Sequence, residues 1–444
     1  FYRKPADTVE HVVFAGLEQL VDYINDLHFG EEDIAYLRSL NLFNEDFLSY
    51  LKDFAFTGDI ESIPEGTIAF QNEPLIRVTA PIIQAQLVET ALLNIINHQT
   101  LIATKAARVV QAAQGGSILE FGLRRAQGPD AGIYGARASV IAGCNATSNV
   151  ICGQMFGIPV AGTHAHSWVM SFPDELSAFR AYAEYFPDAC LLLVDTYDTL
   201  KSGMPNAIKV FEELRAQGHE PLGIRLDSGD LAYLSKEARR MMDEAGFPKA
   251  KVCVSGDLDE FLIRDLKLQG ACIDIWGVGT KLITSKDCPA LGGVYKLSAE
   301  YVGNRVVPKI KISENPAKIT NPGVKKLLRI YDKESGRALA DLIALEEEVF
   351  DENEPLTIFD PIDTWKQTTL TNYSIRNLRV PIFEGGKQVY ACPPLPDIQA
   401  YAKKEKATFW EQYTRLVNPH VYKVDLSDKL WMLKQQMLQR KNGQ

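Results

Sequence analysis

The sequence lacks the long apolar runs and the basic excess that mark two common protein classes. None of its apolar stretches reaches the roughly 20 residues that a helix needs to cross a bilayer, and no signal peptide is visible. Acidic residues outnumber basic ones by 57 to 47, giving a net charge of −10 that argues against general nucleic-acid binding. We therefore expect a cytoplasmic protein that binds neither nucleic acid nor membrane.

Two familiar motifs are also missing. The seven cysteines form no CxxC pair and most lie in apolar stretches, which predicts reduced, buried thiols rather than disulfides or a zinc cluster. No GxGxxG opens a helix after a first strand, which excludes a Rossmann dinucleotide site. The chain has 444 residues, of which 46% are hydrophobic and 23% charged. This size and composition are typical of an enzyme with about three domains, or with one large barrel and a smaller second domain.

The middle of the chain repeats one pattern, in which a short apolar strand is followed by a polar loop and then by a helical stretch. Such a pattern predicts parallel βα units, and polar residues at the carboxyl end of nearly every strand favour an irregular, TIM-like α/β barrel. An open doubly wound sheet stays as the alternative. The predicted strands are 117–121, 158–161, 190–194, 222–226, 252–254 and 273–276.

The flanking regions mix helical and strand patterns, which indicates an α+β domain formed by the N- and C-terminal segments. We expect residues 1–112 to form the N-terminal α+β domain and residues 113–349 to form the barrel. Residues 350–444 are expected to pack on the N-terminal domain.

One strand end carries an unusual set of charges. In the run from Gly223 to Asp230, an apolar strand delivers Arg225, and Asp227 and Asp230 then flank Ser-Gly before a helix. Two carboxylates can bind a sugar diol or a metal, and a guanidinium suits a carboxylate or phosphate. Helix capping would explain one of the acids, but not both together with the arginine.

Glycine-containing loops follow the next two strands. They are Ser255-Gly256-Asp257 and Gly277-Val278-Gly279-Thr280, and neighbouring loops of this kind in a barrel predict a phosphate site. Each motif alone is weak, because turns need glycine anyway.

The segment Gly162-Thr163-His164-Ala165-His166-Ser167 places two histidines two residues apart. Three interpretations stay open: a metal pair, which would need further histidine ligands; a nucleophilic or phosphate-accepting histidine; and a hydrogen-bonded structural histidine. Phe121, beside Arg124 and Arg125, is either a core residue or a platform for a flat heteroaromatic ligand.

Taken together, these motifs resemble the nicotinate phosphoribosyltransferases, within the type II phosphoribosyltransferases that include the nicotinamide and quinolinate enzymes. The likeness extends over nearly the whole chain. The resemblance implies a barrel beside an α+β domain, and a homodimer with active sites shared between subunits. It implies transfer of the phosphoribosyl group of 5-phosphoribosyl 1-diphosphate to nicotinate in NAD synthesis, with Mg²⁺ as cofactor and ATP as co-substrate.

The resemblance also implies roles for individual residues. His166 would be the phosphorylated histidine, with Asp227 as the partner of the ribose and its oxocarbenium ion, and Asp230 as a further catalytic acid. The implied substrate contacts are Phe121, Arg124, Thr163, Ser167 and Arg225. The implied phosphate contacts are Gly256, Asp257, Gly277, Gly279 and Thr280, whereas the metal ligands stay unassigned.

Two other functions remain open. A nicotinamide phosphoribosyltransferase is one, although the loop Gly143-Cys144-Asn145-Ala146-Thr147 carries no acidic residue, which suits a carboxylate ligand better than an amide. A non-catalytic barrel that binds a pyridine nucleotide is the other.

Overall fold

A computed structural model describes residues 1–3 and 9–442. The chain divides into two compact units, of which unit 1 comprises residues 1–100 and 290–444 and unit 2 comprises residues 101–289. Residues 290–349, which the sequence analysis grouped with the barrel, cluster with unit 1 because their long strands pair with strands nearer the C-terminus.

The N-terminal part of unit 1 contains strands and helices that end with a long helix, which begins in unit 1 and ends in unit 2. They are β1 (Tyr2–Arg3), β2 (His11–Val13), α1 (Leu17–Asp26), α2 (Glu31–Ser39), α3 (Glu45–Lys52), β3 (Asp59–Ser62), β4 (Ile68–Phe70), β5 (Ile76–Thr79), α4 (Ile82–Leu87) and α5 (Glu89–Ala113).

Unit 2 alternates strands with helices. Its elements are β6 (Ser117–Glu120), α6 (Pro129–Ile141), β7 (Ala146–Thr147), α7 (Val150–Phe156), α8 (His166–Met170), α9 (Glu175–Tyr185), β8 (Leu191–Leu193), α10 (Met204–Ala216), β9 (Gly223–Leu226), α11 (Leu231–Glu244), β10 (Lys251–Val254), α12 (Glu260–Leu268), β11 (Ile275–Val278) and α13 (Thr280–Ile283).

The remaining elements belong to unit 1. They are β12 (Gly292–Gly293), β13 (Ala299–Val302), β14 (Arg305–Pro308), β15 (Lys325–Asp332), β16 (Ala338–Leu345), β17 (Leu356–Phe359), β18 (Gln367–Leu370), β19 (Tyr373–Asn377), β20 (Val380–Glu384), β21 (Lys387–Gln388), α14 (Leu395–Ala407), α15 (Glu411–Thr414), β22 (Val424–Leu426) and α16 (Asp428–Asn442).

The sheet of unit 2 confirms the predicted parallel βα architecture. Its six strands run in the order β7-β6-β11-β10-β9-β8, and every pair is parallel. This order is a cyclic permutation of the chain order, since the first strand of the unit, β6, pairs with the last, β11. A doubly wound sheet reverses its strand order at a switch point, whereas a barrel does not, so the order is compatible with a barrel that lacks backbone pairing between β7 and β8.

One predicted strand of this sheet is wrong. Residues 158–161 form only a single parallel bridge, between Val160 and Thr147, because Pro159 has no N–H to donate and therefore interrupts the hydrogen-bond ladder. The two-residue strand β7 was not predicted.

Unit 1 is built mainly from antiparallel sheets. One sheet has the order β19-β15-β16-β22 and another the order β21-β20-β3-β5, so the second sheet pairs strands from both ends of the chain. A core packs against the first sheet and includes Leu328, Ile330, Leu342, Ile358 and Tyr373. Within the described residues, no helix combines the length and apolarity needed to span a membrane.

Candidate active site

Arg225, near the carboxyl end of β9, links three of the loops that follow the sheet strands. Its Nη1 donates to Thr163 Oγ1 at 2.6 Å, its Nε donates to Ser255 Oγ at 2.8 Å, and its Nη2 donates to Asp227 Oδ1 at 2.9 Å. A guanidinium has five N–H donors, so these bonds leave one N–H on each terminal nitrogen for a ligand. The sheet therefore holds a fixed cation, two of whose N–H donors are not used by any residue that the structure describes.

Asp227 is held in its ionised form. Burial would raise the pKa of its carboxyl group, but the hydrogen bond from Ser255 and the charge and hydrogen bond of Arg225 together lower that pKa below its usual range. Ser255 Oγ donates to the same carboxylate oxygen, Oδ1, that Arg225 contacts. Because the side chain is still one-third exposed, its other oxygen, Oδ2, is available to a ligand.

His166 lies beside this acid. It begins helix α8, its side chain is 40% exposed, and its Nε2 lies 3.9 Å from Asp227 Oδ2 and 3.8 Å from Asp195 Oδ1. The other ring nitrogen, Nδ1, is 3.1 Å from Thr196 Oγ1. The imidazole is thus accessible to a ligand, and two carboxylates stand near enough to stabilise positive charge on it.

Asp195 was not among the predicted site residues. Its side chain is only 2% exposed, and its Oδ2 accepts hydrogen bonds from the Asp227 backbone N–H at 2.9 Å and from Ser228 Oγ at 2.6 Å. Its Oδ1 is buried and has no hydrogen-bond partner within the described part of the chain. The signal in the sequence was its place directly after a predicted strand, which is also where Asp227 and Ser255 stand.

Phe121, directly after β6, packs against Gly277, which lies in β11, and against Gly279, which follows that strand. The Arg225 guanidinium lies 5.8 Å from the centre of its ring. A Cβ at Gly277 would come within 2.8 Å of that ring, and a Cβ at Gly279 would come within 3.0 Å of the Phe121 carbonyl oxygen. Both positions therefore need glycine for close packing, whether or not phosphate binds there.

Glu120 is a second residue that the sequence analysis missed. It is fully buried at the end of β6, accepts a hydrogen bond from Thr147 Oγ1 at 2.7 Å, and also accepts one from the backbone N–H of Gly122. Burial raises the pKa of its carboxyl group. These hydrogen bonds fix the loop that carries Phe121. In the sequence, Glu120 could have been recognised as a lone acidic residue inside an apolar strand.

Several predicted residues lie in neighbouring loops without joining this cluster. Asp230 caps helix α11, accepting from the Tyr233 N–H at 3.0 Å. Arg124 and Ser167 are exposed, in the turn after β6 and in the first turn of α8.

The predicted phosphate loops follow β10 and β11. Gly256 and Asp257 both have positive φ, 101° and 42°, and a Cβ at Gly256 would lie 2.5 Å from the Asp227 carbonyl oxygen. Thr280 begins the short helix α13. The loop after β10 therefore turns sharply against the Asp227 backbone.

The two histidines of the Thr163–Ser167 segment do not form a metal pair. Nε2 of His164 accepts a hydrogen bond from the Leu193 backbone N–H at 3.1 Å, so that nitrogen is not free to bind a metal. The described residues contain no group of three or more His, Cys, Asp or Glu side chains placed to hold a metal ion by themselves.

Comparisons with known proteins agree on one family. The family models for the nicotinate phosphoribosyltransferase (NAPRTase) N-terminal domain and C-terminal domain match residues 1–97 and 324–434. The nicotinate phosphoribosyltransferase of Bacillus subtilis (strain 168) is 50% identical over 438 residues, covering 99% of this chain and 89% of that protein. That of Caenorhabditis elegans is 35% identical, covering 97% of this chain and 87% of that protein.

A solved structure supports the same assignment. The crystal structure of human nicotinic acid phosphoribosyltransferase aligns with a TM-score of 0.87 and 29% sequence identity, covering 98% of this chain and 94% of that one. With half of its residues identical to a relative matched over nearly all of both chains, the protein belongs to the nicotinate phosphoribosyltransferase family.

Proposed function

We propose that this chain transfers the phosphoribosyl group of 5-phosphoribosyl 1-diphosphate to the ring nitrogen of nicotinate, forming nicotinate mononucleotide and diphosphate. We propose further that ATP hydrolysis drives the reaction through phosphorylation of His166. The names of the relatives indicate the transfer. The proposed roles of individual residues are supported by the geometry around Arg225.

Recognition of nicotinate is assigned to Arg225 and Phe121. The two unused N–H donors of Arg225 suit a carboxylate, and its other donors are occupied by Thr163, Ser255 and Asp227, which fix its orientation. The Phe121 ring nearby offers a flat apolar surface for a pyridine. Thr163 contributes by holding the guanidinium, and we assign Arg124 and Ser167 to the outer rim of this pocket.

The transfer step is assigned to Asp227. The pyridine nitrogen already carries a lone pair, so no general base is needed, and the main barrier is breakage of the bond between ribose and diphosphate. As that bond breaks, the ribosyl carbon becomes electron-poor, and a fixed carboxylate stabilises the positive charge. Asp227 suits this role because it stays ionised and keeps one oxygen free of protein donors.

The ATP-dependent step is assigned to His166. A ring nitrogen forms a bond to the terminal phosphorus of ATP while the bond to the ADP oxygen breaks and ADP leaves; the imidazole proton passes to water, and later hydrolysis of the phosphohistidine releases phosphate. Asp195 and Asp227, both within 4 Å of Nε2, can stabilise the positive charge that the ring carries during the transfer. Phosphorylated His166, beside Asp227, would then add negative charge to the site where diphosphate leaves.

Mg²⁺ fits the oxygen donors of this site. Among the described residues, the buried Oδ1 of Asp195 has no hydrogen-bond partner, and this oxygen and Oδ2 of Asp227 both face the His166 imidazole. Mg²⁺ in such enzymes is commonly held by one or two carboxylates, with water and substrate phosphates completing its octahedral shell. When bound, it would neutralise charge on the departing diphosphate. We assign the remaining phosphate contacts to the loops of Gly256-Asp257 and Gly277–Thr280, and a further acidic role to Asp230.

The observation that carries the proposal is the meeting of Arg225, Asp227 and His166 at one edge of the sheet. The test is a side-by-side assay of phosphoribosyl transfer to nicotinate and to nicotinamide, with and without ATP. We expect transfer to nicotinate, stimulation by ATP, and labelling of the wild-type protein but not of His166→Ala by [γ-³²P]ATP.

The alternatives give different results in the same assay. Equal or better use of nicotinamide would identify a nicotinamide phosphoribosyltransferase. Binding of a pyridine nucleotide without release of diphosphate would identify a non-catalytic barrel. Full coupling of ATP use to product formation in His166→Ala would contradict the role of His166.

We also propose a cytoplasmic homodimer with shared active sites. Helix α7 follows β7 and exposes large apolar side chains at Val150, Ile151 and Met155, a pattern that a second copy of the chain would cover. Sedimentation velocity tests this, and a monomer at micromolar concentration would contradict it.

A further inference from the structure

Among the residues 1–3 and 9–442, strand β8 of the unit 2 sheet has a backbone partner along one edge but none along the other. β8 pairs with β9 on one side, and the hydrogen-bonded order of strands ends there. At the other end of the sheet, the Thr147 N–H donates to the Pro159 carbonyl at 3.1 Å, and the Ala161 N–H donates to the Thr147 carbonyl at 3.0 Å. Residues 158–161 thus lie along β7 in the place of the next strand.

A side chain, and not the backbone, joins this segment to β8. The Leu193 N–H donates to Nε2 of His164 at 3.1 Å. Across the described residues of unit 2, this is the hydrogen bond that connects residues 158–165 to β8. In a regular sheet the same N–H would donate to a carbonyl of the neighbouring strand, so the imidazole takes the place of a strand carbonyl.

The surroundings of His164 fix its ring and its tautomer. The residue is buried, and its ring centre lies 4.7 Å from that of Tyr182 in an edge-to-face arrangement and 6.0 Å from that of Phe179. Because a backbone N–H can only donate, Nε2 is the unprotonated nitrogen and the ring proton resides on Nδ1.

The residues around His164 are those assigned to substrate and to ATP. Thr163, directly before it, accepts from Arg225 of β9, and His166, two residues later, contacts Thr196 in the loop after β8. The imidazole of His164 therefore anchors the segment between Thr163, which contacts Arg225 of β9, and His166, which contacts the loop after β8. Without this anchor, only the contacts made by Thr163 and by the His166 ring would hold the segment against β8 and β9.

We propose that His164 is a positioning residue, whose imidazole closes the gap between residues 158–165 and β8 and thereby sets Thr163 and His166 in place. This inference rests on the proposed roles of Thr163 and His166. His164 acts through the backbone of its own segment and not by touching substrate or ATP.

The test compares two substitutions at this position with a control elsewhere. His164→Leu fills similar space but cannot accept the Leu193 hydrogen bond, whereas His164→Gln places an amide oxygen where it can. The control is Asp274→Leu, which removes another side-chain acceptor of a strand N–H, since Asp274 Oδ2 accepts from Val252 at 2.9 Å near the amino end of β10. Each variant is assayed at a temperature at which circular dichroism shows it fully folded.

We expect His164→Leu to raise the KM for nicotinate and to slow ATP-dependent labelling of His166, with a combined loss of about 100-fold in kcat/KM, as is typical when a reacting group is displaced by about 1 Å. His164→Gln should recover most of that loss, and Asp274→Leu should keep wild-type kinetics. Wild-type kinetics in His164→Leu, or equal impairment in His164→Gln, would overturn the inference.

Hydrogen–deuterium exchange provides a readout that does not depend on turnover. His164→Leu should speed exchange at the Leu193 amide and across residues 163–168, and His164→Gln should restore protection. Unchanged exchange in His164→Leu would overturn the positioning role even if the wild type has no transferase activity. A wild type that is inactive toward nicotinate but shows the expected exchange would instead contradict the proposed function alone.

Discussion

Asp195 Oδ2 accepts a hydrogen bond from the backbone N–H of Asp227 at 2.9 Å, which fixes two carboxylates from neighbouring strand ends relative to each other. The second oxygen of Asp195 is buried, accepts no hydrogen bond from the residues that the structure describes, and lies 3.8 Å from Nε2 of His166. One oxygen therefore supports the Asp227 loop while the other faces the imidazole. These two functions can be separated by substitution.

Asp195→Asn should fold normally but phosphorylate His166 more slowly. The amide oxygen can still accept from the Asp227 N–H, but the negative charge beside the imidazole is gone. We expect labelling by [γ-³²P]ATP to slow by about 100-fold, a loss within the range for an assisting acid or base.

The matched control for this change is Asp198→Asn. Asp198 also accepts backbone hydrogen bonds, from the N–H groups of Leu200 and Lys201, and asparagine caps about equally well. Labelling at the wild-type rate in Asp195→Asn, with the control also unchanged, would show that the charge of Asp195 is not used.

Arg225→Lys should weaken nicotinate binding. Lysine keeps the positive charge but cannot contact Thr163, Ser255 and Asp227 while presenting a planar pair of donors. We expect kcat/KM for nicotinate to fall about 100-fold, equivalent to about 2.7 kcal/mol.

The control keeps the same change of side chain at a surface position. Arg215→Lys alters an exposed arginine that pairs with Glu220, and we expect it to keep wild-type kinetics. Steady-state assays over a range of nicotinate concentrations measure both variants, and an unchanged KM in Arg225→Lys would argue against Arg225 as the carboxylate ligand.

Gly277→Ala tests whether this glycine serves the aromatic ring. The added Cβ would meet the Phe121 ring at 2.8 Å, so the ring must shift and nicotinate affinity should fall about ten-fold or more. Labelling of His166 by ATP should change little. Gly30→Ala is a control, because the Cβ there meets no atom closer than 3.5 Å. A change in labelling with nicotinate affinity intact would point to a phosphate role instead.

The sequence was most informative where neighbours in the chain are also neighbours in the site. Arg225 and Asp227 stand on one strand end, so their charges could be seen together, and the apolar runs of β8 to β11 predicted the parallel sheet. Asp195 and Ser255 lie about 30 residues to either side of them, and only strand pairing brings them into contact. Such pairings depend on register, which these strands specify weakly because they are largely apolar and show no alternation between two faces.

The sequence was least informative about the physical reason for which a given residue type is needed at a given position. Gly277 and Gly279 were assigned to phosphate, yet both pack closely against Phe121. The pattern at 158–161 predicted a strand, but Pro159 limits it to one bridge. The spacing of the two histidines does not distinguish their environments, whereas burial does, since His164 is enclosed while His166 is 40% exposed.

The burial of His164 predicts an acid-sensitive contribution to stability. Burial, with smaller contributions from the nearby charges of Arg225 and His166, lowers the pKa of His164 to about 4 from an ordinary value of 6.5. Since the folded pKa lies below the unfolded one, protons bind the unfolded chain more tightly. The contribution is therefore fully present above about pH 6.5 and is lost as the pH falls toward 4, by at most about 3 kcal/mol.

Urea unfolding at pH 7.0, 5.5 and 4.5 tests this, with the wild type compared with His164→Gln and His164→Leu. Neither variant can titrate at position 164, so the free energy of unfolding of both should fall less steeply over this range than that of the wild type. The free energy of unfolding should depend on pH equally in the two variants, even though only glutamine can replace the hydrogen bond from the Leu193 N–H. A slope in His164→Gln as steep as that of the wild type would mean that the imidazole is not held neutral in the folded protein.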